Sequence, residues 1–206
     1  MTRYPRLGVG LAAAALSISL LTGCSQIEKI DQITDAAATA VEQLGDTADG
    51  LVEVATGGML AAEPIDKAMA AISAKVGADP MQVVELVFTD LSVTVQAVDP
   101  AAPTELNQWT YTAGTVGPLR PVDYGDDAEA LRQNVFAADD VSTAAIITAM
   151  DNAVPASGIA DGAVQSVVVK RNLPFTDEVQ ILLNIQGERS TKQVRADITG
   201  TVTDVV

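Results

Sequence analysis

The sequence contains no histidine and only one cysteine. Without histidine, a serine–histidine–aspartate triad, a histidine general base and the usual zinc sites are excluded. A Walker A loop, a Gly-x-Ser-x-Gly elbow and a Gly-x-Gly-x-x-Gly loop are also missing. Aromatic residues make up 3% of the chain, too few for the sugar-stacking site in which paired carboxylates hydrolyse glycosides. We therefore expect a protein that is not an enzyme and that carries no cofactor.

Basic residues are also scarce, with 12 lysines and arginines against 27 aspartates and glutamates. The net charge of −15 repels nucleic acid and anionic lipid head groups, so we expect neither as a partner. Loss of Arg3 and Arg6 with a cleaved signal would make the mature chain more negative still. Such a surface suits a cation or a basic protein, or it serves solubility alone.

The single cysteine, Cys24, follows an N-terminal segment with the layout of a secretory signal peptide. Arg3 and Arg6 precede an uncharged stretch over 7–23 that is rich in leucine, alanine, glycine and serine. This stretch is at the lower limit of length for a membrane span, which favours a cleaved signal over a transmembrane helix. An exported chain with one thiol can form no internal disulfide, and an exposed thiol is open to oxidation.

The tetrapeptide Leu21, Thr22, Gly23 and Cys24 resembles the lipobox of bacterial lipoproteins. The resemblance implies that Cys24 receives a diacylglyceryl group on its sulfur and becomes the first residue after cleavage. Two acyl chains, such as palmitate, hold a protein durably at a membrane, whereas one holds it only marginally. We therefore expect a signal peptide over 1–23 and a cell-envelope protein that is lipid-anchored on the extracytoplasmic face of the membrane. An ordinary signal peptide with an incidental cysteine is the alternative.

Residues 24–60 are predicted to form a helical stalk or linker. Apolar or small residues recur there at a spacing of three or four, which makes one stripe along a helix. The stalk binds a partner as a coiled coil, or it is a spacer that lies on the domain; Gly57 and Gly58 end it. The stripe consists of Ile27, Ile30, Ala37, Val41, Leu44, Ala48, Leu51 and Ala55, with Thr34 in its one gap.

The remaining chain has the pattern of two similar units, the first over 61–122. It begins with a predicted helix in "EPIDKAMAAISAKVG", where Pro64 suits the first turn and Gly77 the C-terminal end. Ile65, Met69, Ile72 and Val76 would line its buried face. Three strand-like runs follow, "MQVVELVFT", "LSVTVQAV" and "NQWTYTAG". In the second run, alternation predicts that Leu91, Val93, Val95 and Ala97 point inward.

The second unit, over 123–206, repeats this order. Its helix is predicted in "DDVSTAAIITAMDNAVP", with Asp139, Asp140 or Ser142 as N-cap and Pro155 beyond the end. The strands are "AVQSVVVKR", "EVQILLNIQ" and "TKQVRADITG". Both third strands end in Gly-Thr-Val, at 114–116 and at 200–202, which indicates a repeat.

This pattern predicts an α+β fold, in which an N-terminal helical stalk precedes two units of a helix plus an antiparallel three-stranded sheet. The order of elements resembles the tandem PepSY-like and beta-lactamase-inhibitor-like modules of exported bacterial proteins. The nearest residue match is Asp197-Ile198-Thr199-Gly200-Thr201-Val202, which is similar to the hairpin that closes a PepSY unit. The resemblance implies a binding or inhibitory module, and it transfers no functional residue to this chain.

Two patches are candidate ligand sites. Asp123, Asp126, Asp127 and Glu129 supply enough oxygen ligands for calcium if their loop curls around the ion, although their spacing differs from that of an EF-hand. A helix N-terminus explains the same acidic residues without any metal, and this is the interpretation we prefer.

The second patch is the pair Trp109 and Tyr111, which share one face of a strand. The pair forms a recognition surface for a polymer or a protein, or it packs under the helix of its unit.

Together these features predict a non-enzymatic binding or scaffolding module of the cell envelope. One alternative is an inhibitor of an extracellular enzyme, which would need an exposed loop such as "VDPAAPTELNQ". Another is a carrier of a small apolar ligand, which would need a cavity of several hundred cubic ångströms lined by aliphatic side chains. The expected partners are therefore the membrane, through Cys24, and an envelope protein or small ligand that the sequence does not identify.

Overall fold

The computed structural model describes residues 58–125 and 127–206. Its three α-helices and ten-stranded antiparallel sheet confirm the α+β class. The predicted signal peptide, the lipobox and the stalk as far as residue 57 lie outside the described residues.

The helices are α1 (Ala62–Val76), α2 (Ala128–Asn134) and α3 (Thr143–Ser157), with a 3₁₀ turn at Ala138–Asp140. The strands are β1 (Gln82–Thr89), β2 (Ser92–Asp99), β3 (Ala102–Thr112), β4 (Thr115–Val116), β5 (Arg120–Pro121), β6 (Phe136–Ala137), β7 (Ala163–Arg171), β8 (Val179–Gln186), β9 (Thr191–Ala196) and β10 (Val202–Val205).

One sheet contains all ten strands, in the order β10-β9-β8-β7-β1-β2-β3-β4, with β5 beside β3 and β6 beside β1. The run β1–β3 follows α1, and the run β7–β9 follows α3, so the predicted order of one helix and three strands occurs twice. The two runs are joined because β1 pairs with β7. The four short strands β4, β5, β6 and β10 were not predicted, because such short segments carry too little alternation to identify a strand.

Both long helices pack on the same side of the sheet. Helix α1 contacts β2, β3 and β4, whereas α3 contacts β7 to β10 and α1 itself. The layer between helices and sheet is mainly aliphatic, and its aromatic members are Phe88, Trp109, Tyr111 and Phe136. The core begins at Met59, which is 1% exposed and whose N–H donates to the carbonyl of Asp90 at 2.9 Å.

The helix ends follow the sequence signals, with one exception. Gly77 ends α1 with a φ of 78°, and the Oγ atom of Ser142 caps α3 by accepting from the N–H of Ala145. The prediction that Pro155 lies beyond α3 is wrong, because this proline is inside the last turn. The turn extends past it because Ser157 donates from Oγ to the carbonyl of Val154 at 2.7 Å.

Of the four residues predicted to face inward from β2, three do so and one does not. Val93, Val95 and Ala97 are fully buried, as their alternation indicates. Leu91 lies in the turn between β1 and β2 and is 62% exposed, so its assignment to the inward face is wrong. A residue at a hairpin tip has left the pleat, and strand alternation no longer determines where its side chain points.

The helix and the first strand of the two halves match residue by residue. When the first half is aligned so that Ile65 corresponds to Ile146, α1 overlays α3 in sequence and the inward residues of β1 overlay those of β7 without a gap. We call this the repeat alignment. Both helices end in a left-handed glycine, with φ values of 78° and 68°, which supports the predicted repeat. The identical pairs in the helices are Ile65 and Ile146, Ala68 and Ala149, Met69 and Met150, and Gly77 and Gly158.

The pairing of β1 with β7 has a local two-fold symmetry. The pairs are Leu86–Val169, Val87–Val168 and Phe88–Val167. Because the repeat alignment relates Leu86 to Val167 and Phe88 to Val169, the first and third pairs are exchanged by the symmetry. Val87 and Val168 correspond to each other and lie on the axis. The halves therefore meet through equivalent edges.

The turn that closes the second half is held by the side chain of Asp197. Its Oδ1 atom accepts from the N–H and the hydroxyl of Thr199, at 2.8 and 2.6 Å, and from the N–H of Thr201 at 3.1 Å. The hydrogen bond from the Thr199 hydroxyl is the main reason that the pKa of Asp197 is lowered. The carboxylate therefore stabilises the turn in its ionised form.

Replacement of Asp197 by asparagine is expected to lower stability in a pH-dependent way. The folded-state pKa is below the unfolded value of about 3.9, so ionised Asp197 contributes fully above pH 4 and less as pH falls through the folded value. Urea midpoints should differ between wild type and Asp197→Asn at pH 7, and the difference should shrink as pH falls to 3. Asp151→Asn, an exposed position, is the control. A difference of equal size at both pH values would contradict the role of charge.

Candidate functional site

A cleft with a volume of about 580 Å³ opens between α1 and the N-terminal end of α3. Its floor includes Leu86 and Phe88 of β1, and one wall is the loop between α1 and β1. Most of the lining is aliphatic, which is the chemistry of pockets that hold apolar ligands. The lining includes Ile65, Met69, Ala70, Ser73, Ala74 and Met81.

The cleft exists because α1 carries small side chains where it borders the opening. Ala70, Ser73 and Ala74 line the cleft from α1. At the corresponding positions of the repeat alignment, α3 has the larger Asp151, Val154 and Pro155. The two helices share Ile65/Ile146 and Met69/Met150, whereas at these three positions α1 has the smaller side chain.

The hydroxyl groups around the cleft are occupied within the protein. Ser73 donates from Oγ to the carbonyl of Ala78 at 2.8 Å, and Ser142 is the N-cap of α3. Thr143 donates from Oγ1 to Oδ1 of Asp66 at 2.6 Å, which ties α3 to α1 beside the opening. These hydrogen bonds hold the rim of the cleft in place. Each of the three hydroxyl groups already has a partner within the protein.

Two carboxylates at the rim are left for a ligand. Asp79 and Asp139 line the cleft and are exposed. Within residues 58–125 and 127–206, neither makes a hydrogen bond or an ion pair. The nearby Asp140 differs, because its Oδ2 atom accepts from the N–H of Ala137 at 3.1 Å. The arrangement can therefore bind apolar groups in its interior and polar or charged groups at its mouth.

The aromatic pair is part of the core. Trp109 and Tyr111 are 5% and 1% exposed and lie on β3, which packs against α1. The second interpretation, packing under the helix, is the one that the structure shows. The surface interpretation needed exposed rings, and burial in the layer between helix and sheet leaves almost none of either ring accessible.

The described acidic residues of the loop before α2 have partners within the protein. Asp127 is the N-cap of α2 and accepts from the N–H groups of Glu129 and Ala130, and Asp123 accepts from the N–H of Gly125. Hydrogen bonding from Arg132 is the main reason that the pKa of Glu129 is lowered. Asp126 lies outside the described residues. In the part of the chain that the structure describes, no group of three or more acidic or thiol side chains is placed to hold a metal ion.

The segment "VDPAAPTELNQ" is not a protruding loop. Residues 98–108 form the end of β2, a turn at Pro100 and Ala101, and the first part of β3. Backbone pairing between Ala97 and Asn107 and between Val98 and Leu106 holds most of it in the sheet. The exposed residues of this segment therefore lie at the end of a β-hairpin whose strands are paired in the sheet.

Comparison with known proteins gives a fold but no family. No protein-family model matches the chain, and no curated protein matches it in sequence. A similar fold occurs in the crystal structure of a candidate lipoprotein from Clostridium difficile, with a TM-score of 0.51 and 19% identity. The similarity covers 68% of this chain and 89% of that protein. At this identity the comparison establishes a shared fold alone.

The helices of the described region are too short or too polar to cross a bilayer, since none has 18 or more residues with the required apolar content.

The sequence analysis did not find the cleft residues, although one signal was available. The repeat alignment places Ala70 against Asp151 and Ser73 against Val154. A substitution of large by small residues on one copy of a repeat indicates space beside that copy. The neighbour that bounds this space, the N-terminal end of α3, follows from the pairing of β1 with β7.

Proposed function

We propose that this protein is a lipid-anchored, extracytoplasmic binding protein that holds an apolar ligand in the cleft between α1 and α3. The observation that carries the proposal is a cleft of about 580 Å³ with a largely aliphatic lining. This volume lies within the range of about 300–1,000 Å³ that small-molecule sites occupy. The carrier alternative from the sequence required such a cavity, whereas a scaffold or an inhibitor does not.

The anchor is the second part of the proposal. Leu21 to Cys24 resemble a lipobox, and Cys24 is the one cysteine in the chain. The fold is also found in a protein described as a candidate lipoprotein, which supports the same interpretation. A diacyl anchor would keep the binding domain at the membrane surface, where apolar molecules partition.

A straight-chain alcohol tests the cleft directly. In the mature chain, residues 24–206 with Cys24→Ser, decanol is expected to shift the methyl NMR signals of Met69 and Met81, which line the cleft. The signal of Met150, the equivalent of Met69 on α3, should stay unchanged. Each buried methylene contributes about 0.8 kcal/mol, so affinity should rise about fourfold per carbon from octanol to decanol.

A matched pair of variants separates the cleft from the rest of the surface. Ala70 lines the cleft and is exposed, so Ala70→Trp should fill the opening and weaken decanol binding at least tenfold without disturbing the core. Ala156 is an exposed alanine of α3 outside the cleft, and Ala156→Trp should bind decanol as wild type does. Absence of any shift at Met69 and Met81 with decanol would contradict the proposed function.

A further inference from the structure

The charged residues that line the cleft are all of one sign. Asp79 and Asp139 lie at its mouth, and no lysine or arginine is among the lining residues. Two more carboxylates are close by, since Asp66 bonds to the lining residue Thr143 and Asp140 follows Asp139. The polar end of a ligand whose chain enters the cleft would therefore meet negative charge.

The N-terminal end of α3 does not reverse this charge. A helix N-terminus attracts anions through its free N–H groups. Here the Ser142 hydroxyl accepts from the N–H of Ala145, and Asp139 and Asp140 lie in the turn that precedes the helix. Their carboxylates compensate the positive end of the helix dipole, so this end of α3 offers little attraction to an anionic group.

We propose that the ligand of the cleft is an amphiphile with a positively charged head group, whose chain lies on the aliphatic floor and whose head meets Asp79 and Asp139. This inference rests on the proposed function, because it names the class of ligand for the same cleft. Asp79 and Asp139 have no partner among the described residues, so a cationic head would pair with either carboxylate without breaking an existing interaction. A carboxylate or phosphate head would meet repulsion at the same place.

Three ten-carbon compounds test the head group. Decylammonium, decanol and decanoate are titrated into residues 24–206 with Cys24→Ser, and binding is measured from the methyl signals of Met69 and Met81. Decylammonium should bind most tightly and decanoate most weakly. The preference for decylammonium should shrink as salt rises from about 0.05 to about 0.5 M, because exposed ion pairs are screened.

A double variant then reverses the charge preference. Exposed ion pairs are individually weak, so Asp79→Asn with Asp139→Asn should weaken decylammonium binding roughly two- to thirtyfold. The same variant should strengthen decanoate binding and leave decanol binding within twofold. Asp151→Asn removes an exposed carboxylate of α3 that does not line the cleft, and it controls for overall charge.

The outcomes separate the two proposals. If decanol binds but the double variant affects decylammonium no more than Asp151→Asn does, the cleft is a binding site without the proposed charge preference. Tighter binding of decanoate than of decylammonium by the unchanged protein would also overturn the inference. If no compound shifts Met69 and Met81, the proposed function itself fails.

Discussion

Gly200→Ala is expected to lower the free energy of unfolding by roughly 2–5 kcal/mol. The loss combines the strain of a left-handed backbone at a residue with a Cβ atom and the overpacking of that atom against α3. Gly200 has a φ of 86°, a conformation that alanine adopts only with strain. A Cβ atom there would also lie 2.6 Å from the carbonyl oxygen of Ala145 and 2.9 Å from Cβ of Thr148. Both neighbours belong to α3, so the turn would have to move away from the helix. The shift of the urea midpoint measures the effect.

Gly77→Ala is the matched control for this prediction. Gly77 has a similar φ of 78°, but nothing lies within 4 Å of the position that a Cβ atom would take. It should therefore lose only the strain term, about 1–2 kcal/mol. The difference between the two variants isolates the packing of the turn against α3. Equal losses would mean that this packing adds nothing to stability.

Cys24→Ser is expected to move the protein completely from the membrane fraction to the soluble or secreted fraction. The resemblance to a lipobox implies that the sulfur of Cys24 carries a diacylglyceryl group, which a hydroxyl at this position would not accept. Labelling with radioactive palmitate should disappear at the same time. Fractionation followed by alkaline extraction measures the first effect, and autoradiography measures the second.

Thr22→Ala provides the comparison for the anchor, because it keeps a small residue in the tetrapeptide and should remain in the membrane fraction. A Cys24→Ser protein that still sediments with membranes and resists alkaline extraction would show that another part of the chain holds it there. The anchor and the cleft are tested independently, since ligand binding is measured on a chain that already lacks the lipid.

Sequence patterns predicted the long elements of the fold because each one carries its own signals. Pro64 and Gly77 mark the ends of α1, and the alternation of Val93, Val95 and Ala97 identifies β2. The turn at Asp197 and Gly200 was noted only through its resemblance to the hairpin that closes a PepSY unit, although its geometry depends on neighbouring residues. Local signals fail at Pro155, where the last turn of α3 continues past the proline, and at Leu91, which lies at the end of a hairpin.

The cleft could not be predicted in the same way, because it depends on pairing between distant strands. The sequence contains no signal that β1 lies beside β7, and this contact brings the start of α3 next to α1. The capping role of Asp127 was the interpretation preferred from the sequence, because the residue directly precedes a helical pattern. Burial of Trp109 was one of two alternatives, and choosing between them needs the neighbours that the fold supplies.

The pairing of β1 with β7 has the symmetric register of an interface between two identical subunits, although both strands belong to one chain. One unit alone would leave β1 as an exposed edge strand, open to pairing with another chain. Because equivalent edges meet, two copies of such a unit would form a closed homodimer around the axis at Val87 and Val168. The fold therefore has the form of a homodimer whose subunits have been fused. Fusion allows the two copies to differ in sequence, so Ala70 borders a cleft in the first copy whereas the equivalent Asp151 of the second copy does not. A homodimer of identical subunits would have two such clefts or none.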